Sequence, residues 1–161
     1  MRVLRVYLDT PVLGGCFDPE FERWSTGLIA DFRLQRFRPV LSEVTAAEVL
    51  QAPDPVRDLF AELLDGGAEL LPVTPEALAL RASYQARGVL GSRFENDMLH
   101  IAVATIADVD VLVSWNFRHI VRLDKIRLFN AVNLEQGYKT LTIYSPQEVT
   151  IHGRDPGDQS S

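Results

Sequence analysis

Three acidic residues and one amide stand where the chain's punctuation places the ends of regular elements. Asp9 follows an apolar run, Glu48 and Asp97 lie in helical stretches, and Asn116 follows the most apolar short run in the chain. Carboxylates gathered at one site repel one another, and burial raises the cost of keeping them ionised. A divalent cation removes that objection. Mg2+ and Mn2+ favour oxygen ligands and tolerate a half-hydrated site built from a few carboxylates plus substrate phosphate. Such a site can activate a water and stabilise the leaving oxygen of a phosphodiester.

The elements that must position these residues alternate along the chain. Val3 to Leu8, with Val3, Leu4, Val6, Tyr7 and Leu8, reads as a strand buried on both faces, so Asp9 falls at its carboxyl end. Gly14 and Gly15 loosen the chain after it. Phe21, Trp24, Leu28 and Phe32 recur at helical spacing between Pro19 and Gln35. Phe37 to Leu41 is a second strand, left at Ser42. Thr45 to Glu48 matches a capping box, from which a helix runs to Gln51 before Pro53. Asp54-Pro55 opens a helix ending at Gly66-Gly67. Glu69 to Val73 is a short strand, and Thr74-Pro75 starts a helix ending near Gly88. Ser92 to Glu95 forms another capping box, opening the helix of Asp97 and His100. Asp110 to Ser114 is the clearest buried strand. A helix over 122–136 is capped by Gly137, and Thr140 to Tyr144 is the last strand. From His152 to Ser161 the composition is polar and patternless, so a disordered tail is expected after a domain spanning 1–151.

Strands alternating with helices imply an α/β sandwich with a mainly parallel sheet. In such sheets ligands bind outside the carboxyl ends of the strands. Asp9 and Asn116 therefore share a rim, with Glu48 on the same side. Asp108 and Asp110 enter the strand that Asn116 leaves, roughly 20 Å away at about 3.3 Å per residue, and are poor candidates.

The chain has 161 residues, 47% hydrophobic and 24% charged, which suits one globular domain. A single cysteine, Cys16, allows no intramolecular disulfide and fits a reducing cytoplasm. No apolar run approaches the roughly 18 residues of a membrane span, and the N-terminus reads as a strand, not a signal peptide. The net charge of −6 is not the basic footprint of a broad nucleic-acid surface. It leaves a partner other than a polyanion, or local contact through cations that reverse the charge of an acidic site.

Four stretches carry a resemblance: LDT with Asp9, SEVTAAEVL with Glu48, ENDMLHIAVA with Asp97, and LVSWNFRHI with Asn116. In this order and at these intervals they resemble the motifs of PIN-domain nucleases, and are most similar to VapC-type toxins of toxin–antitoxin pairs. The resemblance runs from about Val3 to Val149. It implies a three-layer sandwich around a five-stranded parallel sheet, and cleavage of an RNA substrate with Mg2+ or Mn2+. By position it makes Asp9, Glu48 and Asp97 the metal-binding acids, with Asn116 in the catalytic set where many members have a fourth acid. An antitoxin protein is the implied partner. The departure at Asn116 removes a charge, although its carbonyl oxygen can still hold a water or a metal. It motivates a second reading, an interaction module with little or no nuclease activity. A phosphoaspartate enzyme using Asp9 as nucleophile ranks lower, because the acid expected two residues on is Pro11.

Each residue also has a plain structural role. Asp9 can cap a turn, Glu48 can close the Thr45 capping box, and Asp97 can complement a helix N-terminus. His100 and His119, each three residues after a site residue, can serve the site or the core. Trp115 can stack on a base or pack inside. Arg93, Arg118 and Arg122 can contact phosphate or stay solvated. The helix with Phe21, Trp24 and Phe32 can form a homodimer contact or face the core.

Overall fold

β1 (Leu4–Leu8) is the central strand of a five-stranded sheet, with β2 (Phe37–Ser42) on one side and β4 (Val111–Val113) on the other. β3 (Glu69–Leu71) and β5 (Ile143–Tyr144) form the edges, giving the order β3-β2-β1-β4-β5 with every pair parallel. The computed structural model describes residues 2–154. Parallel strands need crossovers, and the helices that make them cover both faces. This is the three-layer α/β sandwich the sequence predicts.

The period of two along each strand divides the core. Tyr7, Val40, Leu112 and Ile143 point into one apolar cluster with α5 (Pro75–Ala86), α6 (Glu95–Ile106) and α7 (Leu123–Glu135). Val6, Leu8, Leu41, Val111 and Val113 point the other way. They meet α1 (Thr10–Gly15), α2 (Glu22–Arg33) and α4 (Asp54–Asp65). α3 (Glu43–Val49) sends Val44 to the first cluster and Val49 to the second. α8 (Pro146–Val149) follows β5 and is closed by a capping box between Ser145 and Glu148, an element absent from the sequence reading.

Several local expectations change in three dimensions. Gly14 and Gly15 belong to α1, whose first turn is capped by Asp9. A Cβ on Gly15 would stand 2.5 Å from Ser25 Oγ and 2.7 Å from Trp115 Nε1, so close packing, not looseness, selects glycine there. α3 starts from Ser42, whose hydroxyl accepts from Val44 N and Thr45 N. Thr45 is therefore no cap, and its buried hydroxyl has no hydrogen-bond partner among the described residues. The Ser92 capping box does not form; Ser92–Phe94 is a 3-10 turn leading into α6. Gly137 follows α7 at φ 89, the left-handed position after a helix that the sequence predicts.

Helix α2 turns its apolar side inward. Phe32 is buried, and Phe21 and Trp24 pack against Trp115, which removes the ground for a homodimer contact through that face. Asp31 of α2, fully buried, accepts from Thr150 Oγ1 at 2.8 Å, Ile151 N at 2.8 Å and His152 N at 3.0 Å, and pairs with Arg36. His152 and Gly153, assigned to the tail from sequence, are thus tied to the domain; the rest of that tail, 155–161, lies outside the described residues. No helix among the described residues is long and apolar enough to cross a membrane.

Candidate functional site

Strand order reverses between β1 and β4: β1 continues to β2 on one side, while the chain returns to β4 on the other. At such a switch point the two loops leave in opposite directions and open a crevice at the carboxyl ends of the strands. Asp9 leaves β1 and Asn116 leaves β4 at this crevice. Asp9 N reaches Val113 O at 3.4 Å, extending the ladder to the rim.

Asp9 is 1% exposed. Its Oδ1 accepts from Val12 N at 3.3 Å and its Oδ2 from the Ser114 hydroxyl. Burial pushes its carboxyl up to about 6 from 3.8, against the pull of His100, Ser114 and Val12, and the charge of Asp97 adds to the rise. Asp97 lies in the first turn of α6. Burial raises its carboxyl too; His100 and His119 oppose, while Glu48 pushes further up. The partners of these two acids are hydroxyls, amides and histidines, and Asp97 makes the charge on Asp9 costlier still.

Glu48 sits in the last turns of α3 and not at its start, because Ser42 begins that helix. Its structural role as the closing residue of a Thr45 box is therefore excluded. Its Oε1 accepts from His100 Nε2 at 2.6 Å and Thr10 Oγ1 at 2.8 Å. Burial alone would raise its carboxyl, but the hydrogen bond and electrostatic pull of His100, with Thr10 and Asn96 assisting, outweigh it and hold the group below the usual range.

Asn116 lies beside Asp97, and its amide orientation is set by its neighbours. Oδ1 accepts from Arg118 N at 3.2 Å and His119 N at 2.9 Å, capping the turn after β4. The nitrogen end is then the one that meets Asp97, with Nδ2 donating to Oδ2 at 3.3 Å. The carbonyl oxygen that the sequence reading offered to a water or metal is occupied by backbone. Ser114 ties the two strand ends together, donating to Asp9 while accepting from Asn116 N at 2.9 Å.

The four residues singled out from sequence thus converge at one rim. Asp110 and Asp108 lie at the other, bound to Arg5 N at 2.7 Å and Lys139 Nζ at 3.3 Å respectively. His100 is buried with both ring nitrogens engaged, by Tyr7 and Glu48. His119 Nδ1 lies 3.6 Å from Asp97 Oδ2, its ring 4.0 Å from that of Phe94. Trp115 belongs to the core: it is 7% exposed, stacks on Phe21 at 4.3 Å and donates to Ser25 at 2.9 Å. Arg93 lies over Phe94, Arg122 pairs with Asp124, and Arg118 is exposed. Cys16 is buried, which pushes its thiol up to about 11 and suits no nucleophile. Sequence reasoning missed Thr10, Ser42 and Ser114 as donors, and Tyr7 as more than a strand residue. The one available signal was a phenol in an otherwise aliphatic buried strand, since a buried hydroxyl needs a partner.

The acidic ligands at the rim offer oxygens, which suits a hard cation. Among the described residues no three His, Cys, Asp or Glu side chains stand together closely enough to hold a metal ion unaided.

No protein-family model matches the sequence, and no curated protein does either. Solved structures share the fold. One is VapBC2 from Rickettsia felis bound to a DNA fragment from its promoter, with TM-score 0.56 and 11% identity over 88% of this chain and 98% of that one. Another is FitAcB from Neisseria gonorrhoeae, with TM-score 0.55 and 15% identity over 88% and 97%. DNA-bound VapBC from Salmonella typhimurium gives TM-score 0.55 and 16% identity over 89% and 99%. The architecture is PIN-like, as the four motifs imply, at identities that carry the fold alone.

Proposed function

We propose that the chain is a Mg2+- or Mn2+-dependent endoribonuclease and the toxin of a toxin–antitoxin pair, so that RNA is its substrate and an antitoxin protein its partner. The observation that carries this reading is the pair Asp9 and Asp97, two carboxyls at the switch point whose ionisation is opposed by burial and by neighbouring acids. Acids whose ionisation is opposed in this way cluster at functional sites, and a bound cation would lower the cost of ionising both. Asp9, Glu48 and Asp97 would hold the cation, with several waters retained in its shell as Mg2+ prefers.

A cation bound there supplies Lewis acidity toward a phosphoryl oxygen and activation of water. The chain's own residues preorganise the rim. Ser114 and Val12 fix both oxygens of Asp9, and Asn116 fixes Asp97 through a nitrogen that the turn at 117–119 orients. Arg118, exposed two residues after Asn116, would be a contact for a substrate phosphate.

The test uses purified protein with Mn2+ and single-stranded RNA, alongside Asp9→Asn and growth inhibition in a bacterial host. Cleavage and toxicity that both disappear in the variant are expected. A wild type that cuts no RNA, paired with a variant that changes neither Mn2+ binding nor growth, refutes the proposal. The competing reading, a PIN-fold interaction module with little catalysis, draws on Asn116 in place of an acid and on the lack of a three-ligand cluster among the described residues. It requires that calorimetry detect no carboxylate-dependent binding at millimolar Mg2+.

A further inference from the structure

Glu48 is held from outside its own helix. His100 Nε2 reaches its Oε1 at 2.6 Å, and His100 Nδ1 lies 2.6 Å from the Tyr7 hydroxyl. That hydroxyl lies 2.7 Å from Ser42 Oγ. Ser42, Tyr7 and His100 are all buried, so water does not replace the bonds among these three. The chain of contacts runs from the end of β2 through β1 and α6 to α3.

Its direction follows from the helix cap. Ser42 Oγ accepts from Val44 N at 3.2 Å and Thr45 N at 3.5 Å. A hydroxyl has two lone pairs and one proton, so with both lone pairs engaged Ser42 donates to Tyr7. That leaves the Tyr7 proton available to His100 Nδ1, 2.6 Å away. Which imidazole nitrogen carries hydrogen is set by the bond the other makes. With Nδ1 accepting, the proton resides on Nε2, which faces a carboxylate that can only accept.

We propose that His100 is a positioning residue, presented to Glu48 as its Nε2–H tautomer by the Ser42–Tyr7 relay, and that it fixes the Glu48 carboxylate at the metal-binding rim. Glu48 lies near the end of α3 and is half-buried, where a helix by itself leaves a long side chain free to turn. His100 and Thr10 grip the same oxygen from two other elements, so the carboxylate's place is set by tertiary contacts. The serine that starts the helix carrying Glu48 also orients the histidine that holds it. The proposal rests on Glu48 belonging to the metal site.

Two measurements test it. In 15N-labelled protein at pH 7, long-range proton–nitrogen correlations are expected to show His100 as the Nε2–H tautomer, and Tyr7→Phe to erase that preference. An Nδ1–H ring, a doubly protonated ring, or a pattern unchanged by Tyr7→Phe overturns the relay. Mn2+ affinity is then compared by calorimetry in His100→Gln, whose amide nitrogen sits as many bonds from the backbone as Nε2, and in His100→Asn, which is too short. Loss of a group that orients a metal ligand weakens binding by about 10- to 100-fold. That loss is expected in His100→Asn, with His100→Gln retaining most of the wild-type affinity. Folded His100→Asn binding Mn2+ as wild type does overturns the positioning role; if that variant melts below the assay temperature, Tyr7→Phe serves instead, with a smaller loss expected. A wild type that binds no Mn2+ refutes the proposed nuclease, and the tautomer measurement still decides the relay.

Discussion

Replacing Asp9 by asparagine removes a charge the fold holds at a cost. The carboxyl titrates at about 6 in the folded chain against 3.8 as a free side chain, so the folded state binds the proton more tightly than the unfolded one. At about 1.4 kcal/mol per pH unit, ionising Asp9 in the fully buried site costs about 3 kcal/mol above pH 6. The stability that the proton confers is fully present below the unfolded value, near pH 4, and is lost as pH rises through 6. The introduced amide keeps an oxygen for Val12 N but meets the Ser114 hydroxyl with a nitrogen, which returns about 1 kcal/mol. The Asp9→Asn variant is therefore expected to be more stable than wild type by about 2 kcal/mol at pH 7 in EDTA, or roughly 4–8 °C in melting temperature. Urea unfolding from pH 4 to 8 reads the difference directly: the variant is less stable by up to about 1 kcal/mol at pH 4, overtakes wild type between pH 4 and 6, and its advantage is flat beyond. Saturating Mn2+ reverses the order, since a ligand at about 100 times its dissociation constant stabilises by about 2.7 kcal/mol and the variant loses that gain. A variant less stable than wild type at pH 7 without divalent cations, or a difference that ignores pH, refutes the reasoning.

Two further perturbations probe the rim and the chain's end. Asn116→Asp deletes the Nδ2 donor 3.3 Å from Asp97 and sets a like charge beside it, so Asp97 should titrate still higher. Stability in EDTA at pH 7 falls by about 1–2 kcal/mol in denaturant unfolding, while calorimetry reads tighter Mn2+ binding; an unchanged affinity would count against a cation at this rim. Asp31→Ala strips the acceptor from Thr150, Ile151 and His152 and leaves Arg36 without its partner. Urea unfolding is expected to show a loss of about 3 kcal/mol, and limited proteolysis earlier cleavage near residue 150.

The rim of the sheet at which the candidate residues gather was legible in the residues. A strand buried on both faces reads as an unbroken apolar run, and parallel strands all leave by the same rim, so Asp9 and Asn116 follow from where Val3–Leu8 and Val111–Val113 stop. The same rule put Asp108 and Asp110 on the far side, where they are found bound to Lys139 and Arg5. Helix starts were harder. Thr45 and Ser92 both match a capping box, and neither caps. Ser42 outcompetes Thr45 by three residues, which carries Glu48 from the start of α3 to its last turns and changes what that acid can touch.

Such misses share a cause. Periodicity is set by residues a few positions apart, and a linear reading captures it well, whereas which of two nearby hydroxyls caps a helix depends on where the preceding strand ends. The partners that define this rim are remote: Tyr7 and His100 lie 93 residues apart, Glu48 and His100 are separated by 52, and Asp9 and Ser114 by 105. Residue types along the chain were enough to nominate four site residues and a parallel sheet to carry them. The strand order β3-β2-β1-β4-β5, which brings Asp9 beside Asn116, comes from burying two apolar clusters on opposite faces at once. So does the orientation of the Asn116 amide, because its two ends are told apart only by which donors and acceptors the folded chain brings to them.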